Sequence, residues 1–190
     1  MKKLGILLLL LFSIAGAQSL DLVEGTVDGK HVCAVTLDEF GDMLGRPSVV
    51  ETPAEVVADV LGPTLYYHPL GLRILFNPGE AGAQTTLGLT VHLTRHWDSD
   101  SAEWYSAFAG DIVPEVSAEW RVGRSLSEFA AYDPIDETPE FREEQLEEAG
   151  IPFAVGNLDH IVRVKLDTHD VTLTHEPTTR FFERVGILCE

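Results

Sequence analysis

The chain has 190 residues, with 13 Lys and Arg against 31 Asp and Glu for a formal net charge of −18, and it carries two cysteines. So acidic a composition argues against nucleic acid and anionic lipid, both of which require a cationic surface, and is compatible with a basic protein partner or loosely held cations. An apolar content of 45% argues against disorder and suits either one domain with a proper core or two small modules sharing one.

Residues 1–17 join the basic pair Lys2-Lys3, the apolar run Leu4 to Phe12 and the small residues Ala15-Gly16-Ala17. This is the n-region, h-region and cleavage-site order of a secretory signal peptide. The alternative, an N-terminal membrane anchor, needs roughly 20 apolar residues, and the run is shorter than that. Cleavage would leave a mature chain beginning near Gln18, of about 173 residues, and the loss of Lys2 and Lys3 would take the net charge from −18 to −20. No cysteine follows the run to accept lipid, and no second apolar segment follows to hold the chain in a bilayer. The expected location is therefore secreted or periplasmic, with no stable membrane insertion. In that oxidising compartment Cys33 and Cys189 are expected to form a disulfide closing a loop of roughly 155 residues; two separate buried or free thiols are the alternative.

Along residues 18–97, the first expected module, Val27-Asp28-Gly29-Lys30-His31-Val32 carries a hairpin-type Asp-Gly turn. Thr36-Leu-Asp-Glu39 satisfies the capping box, and behind it Leu37, Phe40 and Leu44 share a helix face that Gly45 ends. Thr52-Pro53-Ala-Glu55 predicts a second helix with Val56, Val57, Val60 and Leu61 on its apolar face, closed by Gly62-Pro63. Strands are expected at Thr64 to His68, at Leu72 to Phe76 and, by period-two alternation, at Leu87 to Thr94, with Asn77 to Gln84 a loop.

Residues 98–115 are expected as a connecting segment and residues 116–190 as a second module packed on the first. Val116 to Val122 alternates as a strand, and Ser125-Leu-Ser-Glu128 repeats the capping box before Asp133-Pro134 stops that helix. Thr138-Pro139-Glu140 opens another helix, whose Glu140/Glu144, Glu143/Glu147 and Glu144/Glu148 pairs repel one another at i,i+4. Phe153 to Val155, His160 to Leu166 and Val171 to Thr174 complete the expected strands. The same order of element types recurs at an offset of about 86 to 90 residues, as a repeat architecture would produce. The fold class is accordingly α+β: an antiparallel sheet with short helices, built from two degenerate helix/β-hairpin repeats.

These residues resemble small secreted bacterial domains of uncharacterised function in which a Gly-rich strand turn, a "T-L-D-E-F…L-G-x-P" helix and a β-hairpin recur, over Val27 to Phe76 best and Ala118 to Leu166 loosely. The plan is also similar to the tandem-repeat β-lactamase inhibitor protein and to the small lipoprotein of the outer-membrane barrel assembly machine. The resemblance implies a fold and a protein-binding role without catalysis. It supplies no site residues: the lipoprotein's lipid cysteine is missing, and no stretch matches either relative's contact surface.

The densest ligand-capable cluster is "HLTRHWDSDSAEW", with His92, His96, Asp98, Asp100 and Glu103. Histidines at i and i+4 share a face on a helix and could hold zinc, which would make a secreted metal-dependent hydrolase the alternative function; on a strand they belong to a polar end and a surface turn. The Asp98, Asp100, Glu103 run lacks the glycine and the distant glutamate of an EF-hand. Locally, Asp100 could cap a short helix with Glu103 at N3, while Trp97, Trp104, Tyr105 and Phe108 pack on the sheet. If exposed, those aromatics become the first candidate contact surface. The acidic run from Asp133 to Glu148 reads as a solvated face or a dock for a basic partner. No nucleophile elbow, phosphate-binding loop or dinucleotide fingerprint occurs. The expected function is a secreted, non-catalytic module for protein–protein interaction in the cell envelope or outside the cell, with no catalytic, cofactor-binding or metal residues assigned and no cofactor.

Overall fold

The computed structural model describes residues 18–98, 102–116, 118, 134–136, 160–175 and 182–189. Its first strand, β1 (Ser19–Asp21), pairs antiparallel with β2 (Thr26–Val27), which turns through Asp28-Gly29 into β3 (Lys30–His31). Both turn residues have positive φ, 49° and 77°, the backbone twist that matches a two-residue hairpin. After a 3-10 turn at Val32–Ala34, helix α1 (Leu37–Leu44) begins on the expected capping box: the Thr36 hydroxyl accepts from the Glu39 amide and the Glu39 carboxylate accepts from the Thr36 amide at 2.9 Å. Gly45 ends it, donating to the Gly41 carbonyl, and Phe40 is driven into the core.

The next expected helix shrinks to one 3-10 turn at Glu55–Val57, between β4 (Val49–Glu51) and β5 (Thr64–Tyr67). A short helix holds only where its apolar face is buried, and here Val56 is 84% exposed, so nothing rewards propagation against β-branched residues. β6 (Leu72–Phe76) and β7 (Thr86–His92) follow as expected, flanking the Asn77 to Gln84 loop. β8 (His96–Asp98) straddles the end of the first expected module, and the residues expected to link the modules carry β9 (Glu103–Tyr105) and β10 (Asp111–Val113). β10 runs parallel to β1 and completes a small sheet in the order β10-β1-β2-β3.

Farther on lie β11 (Pro134–Asp136), β12 (His160–Lys165), β13 (Asp170–His175) and β14 (Phe182–Leu188). Pro134 was expected to stop a helix; it opens an edge strand, where a missing amide costs no ladder bond. β14 had no counterpart among the expected elements. The helices expected at Ser125 and Thr138 and the strand at Phe153 to Val155 lie outside the described residues, as do the signal segment and most of Val116 to Val122.

One eight-stranded antiparallel sheet, ordered β11-β12-β13-β14-β7-β6-β5-β4, organises the chain. It consists of two four-stranded meanders, β4 to β7 and β11 to β14, joined edge to edge where β7 pairs with β14. β5, β6 and β7 begin at residues 64, 72 and 86, and β12, β13 and β14 at 160, 170 and 182, an offset of 96 to 98 residues. That differs from the 86 to 90 residues expected for the recurring elements, whose second-half helices lie outside the described residues.

Alternation then divides the sheet. On one face Leu65, Ile74, Leu89, Ile187 and Val171 line up across five strands, with Tyr67, Leu72, Val91, Val185 and Leu173 beside them. All are buried in a single core that the small sheet covers with Leu20, Leu22 and Val27, and α1 with Phe40. His169, 1% exposed, ties the layers by placing Nε2 2.8 Å from the Leu22 carbonyl. The Cys33–Cys189 disulfide adds a covalent tie between the turn after β3 and the residue following β14, with Cα atoms 5.4 Å apart. Among the described residues no helix is long and apolar enough to cross a membrane.

Candidate functional site

The opposite face of the sheet is polar at its centre. Tyr66, Arg73 and Thr90 stand in one row across β5, β6 and β7, and His92 lies directly opposite Arg184 across the seam between the two meanders. Arg73 places its guanidinium carbon 5.6 Å from the Tyr66 ring centroid, and the Tyr66 hydroxyl donates to Glu51 on β4.

Over this face folds the β8–β9 hairpin, in which Trp97 pairs with Trp104 and Asp98 with Glu103. It replaces the helix expected behind Asp100: Glu103 and Trp104 are strand residues, and opposed aromatics stabilise a two-stranded ladder where helical spacing would separate them. Asp100 lies outside the described residues. His68, buried in the 3-10 turn His68–Leu70, anchors both strands of the hairpin. Its Nε2 lies 3.5 Å from an Asp98 oxygen, and its Nδ1 lies 2.9 Å from a Glu103 oxygen, at ion-pair distance but outside hydrogen-bonding geometry. The backbone continues the anchorage, the Ser106 amide donating to the His68 carbonyl and the Phe108 amide to the His92 carbonyl.

Tyr105 points inward from the hairpin and stacks on His92, ring centroids 4.0 Å apart, and His96 stacks on His92 at 5.2 Å. Together the hairpin and the sheet enclose a polar pocket of about 80 Å³, lined from below by Tyr66, Arg73, Thr90, His92 and Arg184 and from above by His96, Asp98 and Tyr105. Burial, reinforced by the charges of Arg184 and Arg73 and by His96, pushes the His92 pKa down to about 3, against a partial opposing pull from Asp98. His96 is lowered as well, by burial and then Arg184. Burial raises Tyr105, and burial followed by the bond to Glu51 raises Tyr66. At neutral pH the pocket thus presents a neutral imidazole at His92, two protonated phenols and two guanidinium groups.

Of the residues expected from sequence, His92, His96 and Asp98 meet in this pocket, while Glu103 faces His68 instead. The two histidine rings lie face to face, and among the described residues no group of three or more His, Cys, Asp and Glu is placed to hold a metal ion. Sequence reasoning missed His68, Arg73 and Arg184, whereas Tyr105 packs on the sheet as expected. The polar phase of Leu72 to Phe76 could have placed Arg73 on the outer face, but nothing local sets Arg184 beside His92.

The outer surface of the hairpin is aromatic. Trp97 and Trp104 are 45% and 49% exposed, their rings in edge-to-face contact with centroids 5.3 Å apart, and the Arg95 guanidinium carbon lies 4.5 Å from the Trp104 ring centroid. The expectation that they pack on the sheet is corrected: the strand alternation that buries Tyr105 turns its neighbour Trp104, and Trp97 opposite it, outward. Comparison with family models, curated proteins and solved structures finds no match for this chain.

Proposed function

We propose that the chain is an exported, non-catalytic binding module that docks a basic protein of the cell envelope or the exterior through the Trp97–Trp104 face of its hairpin. The observation that carries this reading is the solvent exposure of two adjoining tryptophans on a hairpin anchored from beneath by His68 and Tyr105. Tryptophan is the residue type most enriched among those that dominate interface energetics, and a rigid platform loses little conformational entropy on binding. Net charge of −18 favours a cationic partner and speeds its approach at low salt.

The test is capture from the native envelope extract with wild type and with the Trp97→Ala/Trp104→Ala double variant, followed by titration of the purified captured protein. A basic protein retained by wild type, bound about tenfold or more weakly by the double variant and released by salt, supports the reading. Equal binding by both, or a partner indifferent to salt, overturns it.

A further inference from the structure

Beneath the tryptophans, the pocket at the β7–β14 seam has a different chemistry from the surface above it. We propose that it is a binding site for a small oxyanion, a free carboxylate or an inorganic phosphate, gripped by Arg73 and Arg184 with Tyr105 and His92 as hydrogen-bonding partners.

Four observations lead there. In a chain with 13 basic residues against 31 acidic ones, two guanidinium groups line one pocket, Arg73 from the first meander and Arg184 from the second. The guanidinium fork matches the oxygens of a carboxylate or phosphate. Tyr105 and His92 are 2% and 3% exposed, both line the pocket, and the Tyr105 hydroxyl and His92 Nδ1 have no hydrogen-bond partner among the described residues. Buried polar groups in native structures are rarely left unmatched, so a donor-bearing phenol facing two arginines points to an acceptor-rich guest. The volume, about 80 Å³, holds a few waters or one small anion and no larger ligand. Asp98, the carboxylate in the lining, directs an oxygen toward His68 at 3.5 Å, and Glu51 accepts from Tyr66, so these two carboxylates are engaged with other side chains. A divalent cation would face both guanidinium charges, and the two histidines are stacked ring on ring.

The experiment titrates isotope-labelled protein with acetate, with inorganic phosphate and with zinc chloride at constant ionic strength, following the His92 ring and Tyr105 hydroxyl resonances. A saturable shift with either anion supports the site, and so does a His92 titration midpoint that rises when the anion is bound, since an opposite charge favours the imidazolium. Arg184→Gln should weaken that binding about tenfold or more, as loss of a charge-assisted contact does. Arg73→Gln, at an exposed position on the same face of the sheet, provides a second reading should the first variant not fold. Absence of a saturable shift with both anions, affinities unchanged in a folded arginine variant, or saturable binding of zinc alone overturns the proposal.

Discussion

Replacing both cysteines by alanine tests the largest single constraint on this fold. Cys33 and Cys189 are 156 residues apart in sequence and bonded in the structure, so the disulfide closes nearly the whole described chain into one loop. Chain-entropy reasoning assigns a loop of that length a penalty on the unfolded state of about 5 kcal/mol at 25 °C. Little else should change in the native state. The Cys189 amide still donates to the Leu87 carbonyl at 2.8 Å, and alanine retains part of the apolar bulk at that buried position. Domains of this size are stable by only about 5 to 15 kcal/mol, so the double variant should lie close to unfolding at 37 °C. Urea titration followed by tryptophan fluorescence and circular dichroism measures the difference, and the same data contain a second signature: freeing the unfolded chain should raise the denaturant slope m. A loss below about 1 kcal/mol with unchanged m would refute the reasoning, because such a value is ordinary for any point substitution.

Three further outcomes follow from particular contacts. Gly25 has φ +64° and a Cβ there would sit 2.6 Å from the buried His169 ring, so Gly25→Ala should cost about 2 to 4 kcal/mol, read as a lowered Tm; an unchanged Tm would contradict the packing of that ring beneath the small sheet. Thr36→Ala removes the cap of α1 and should cost about 1 kcal/mol in urea titration, whereas Thr36→Ser should restore most of it. His92 takes up its proton in the folded state only near pH 3, against 6.5 ordinarily, so between those values the unfolded chain binds more protons. Its contribution is complete above about pH 6.5 and is lost as pH falls toward 3, by at most roughly 5 kcal/mol. Unfolding free energies across that window should therefore fall less steeply for His92→Gln than for wild type, and equal slopes would show that His92 is not held neutral by its surroundings.

How legible the protein is from its sequence depends on the range over which each feature is decided. The cap on α1, the Asp28-Gly29 turn and the alternating strands β6, β7 and β12 rest on neighbours within a few residues, and each appears where the residues predict it. The Thr52-Pro53 start had equally good local chemistry and yielded a single turn, because whether Val56 and Val60 find a surface to bury against is not a local property. β14 was overlooked for a related reason. Phe182 to Leu188 alternates only briefly and contains Gly186, and its strand character comes from hydrogen bonds to β7 and β13 on either side.

The site divides along the same line. By itself the sequence determined an acidic chain, an α+β composition, a cysteine pair suited to an oxidising compartment and a histidine-rich segment around His92, all properties of residue type and short spacing. Only the tertiary structure decided that β7 and β14 meet in the register that puts Arg184 against His92, that His96–Asp98 and Glu103–Tyr105 pair as strands, and that the tryptophans face solvent while Tyr105 is sealed beneath them. Pairing partners 92 to 100 residues apart are selected by the burial of whole faces at once, a cooperative choice that no short window of sequence encodes.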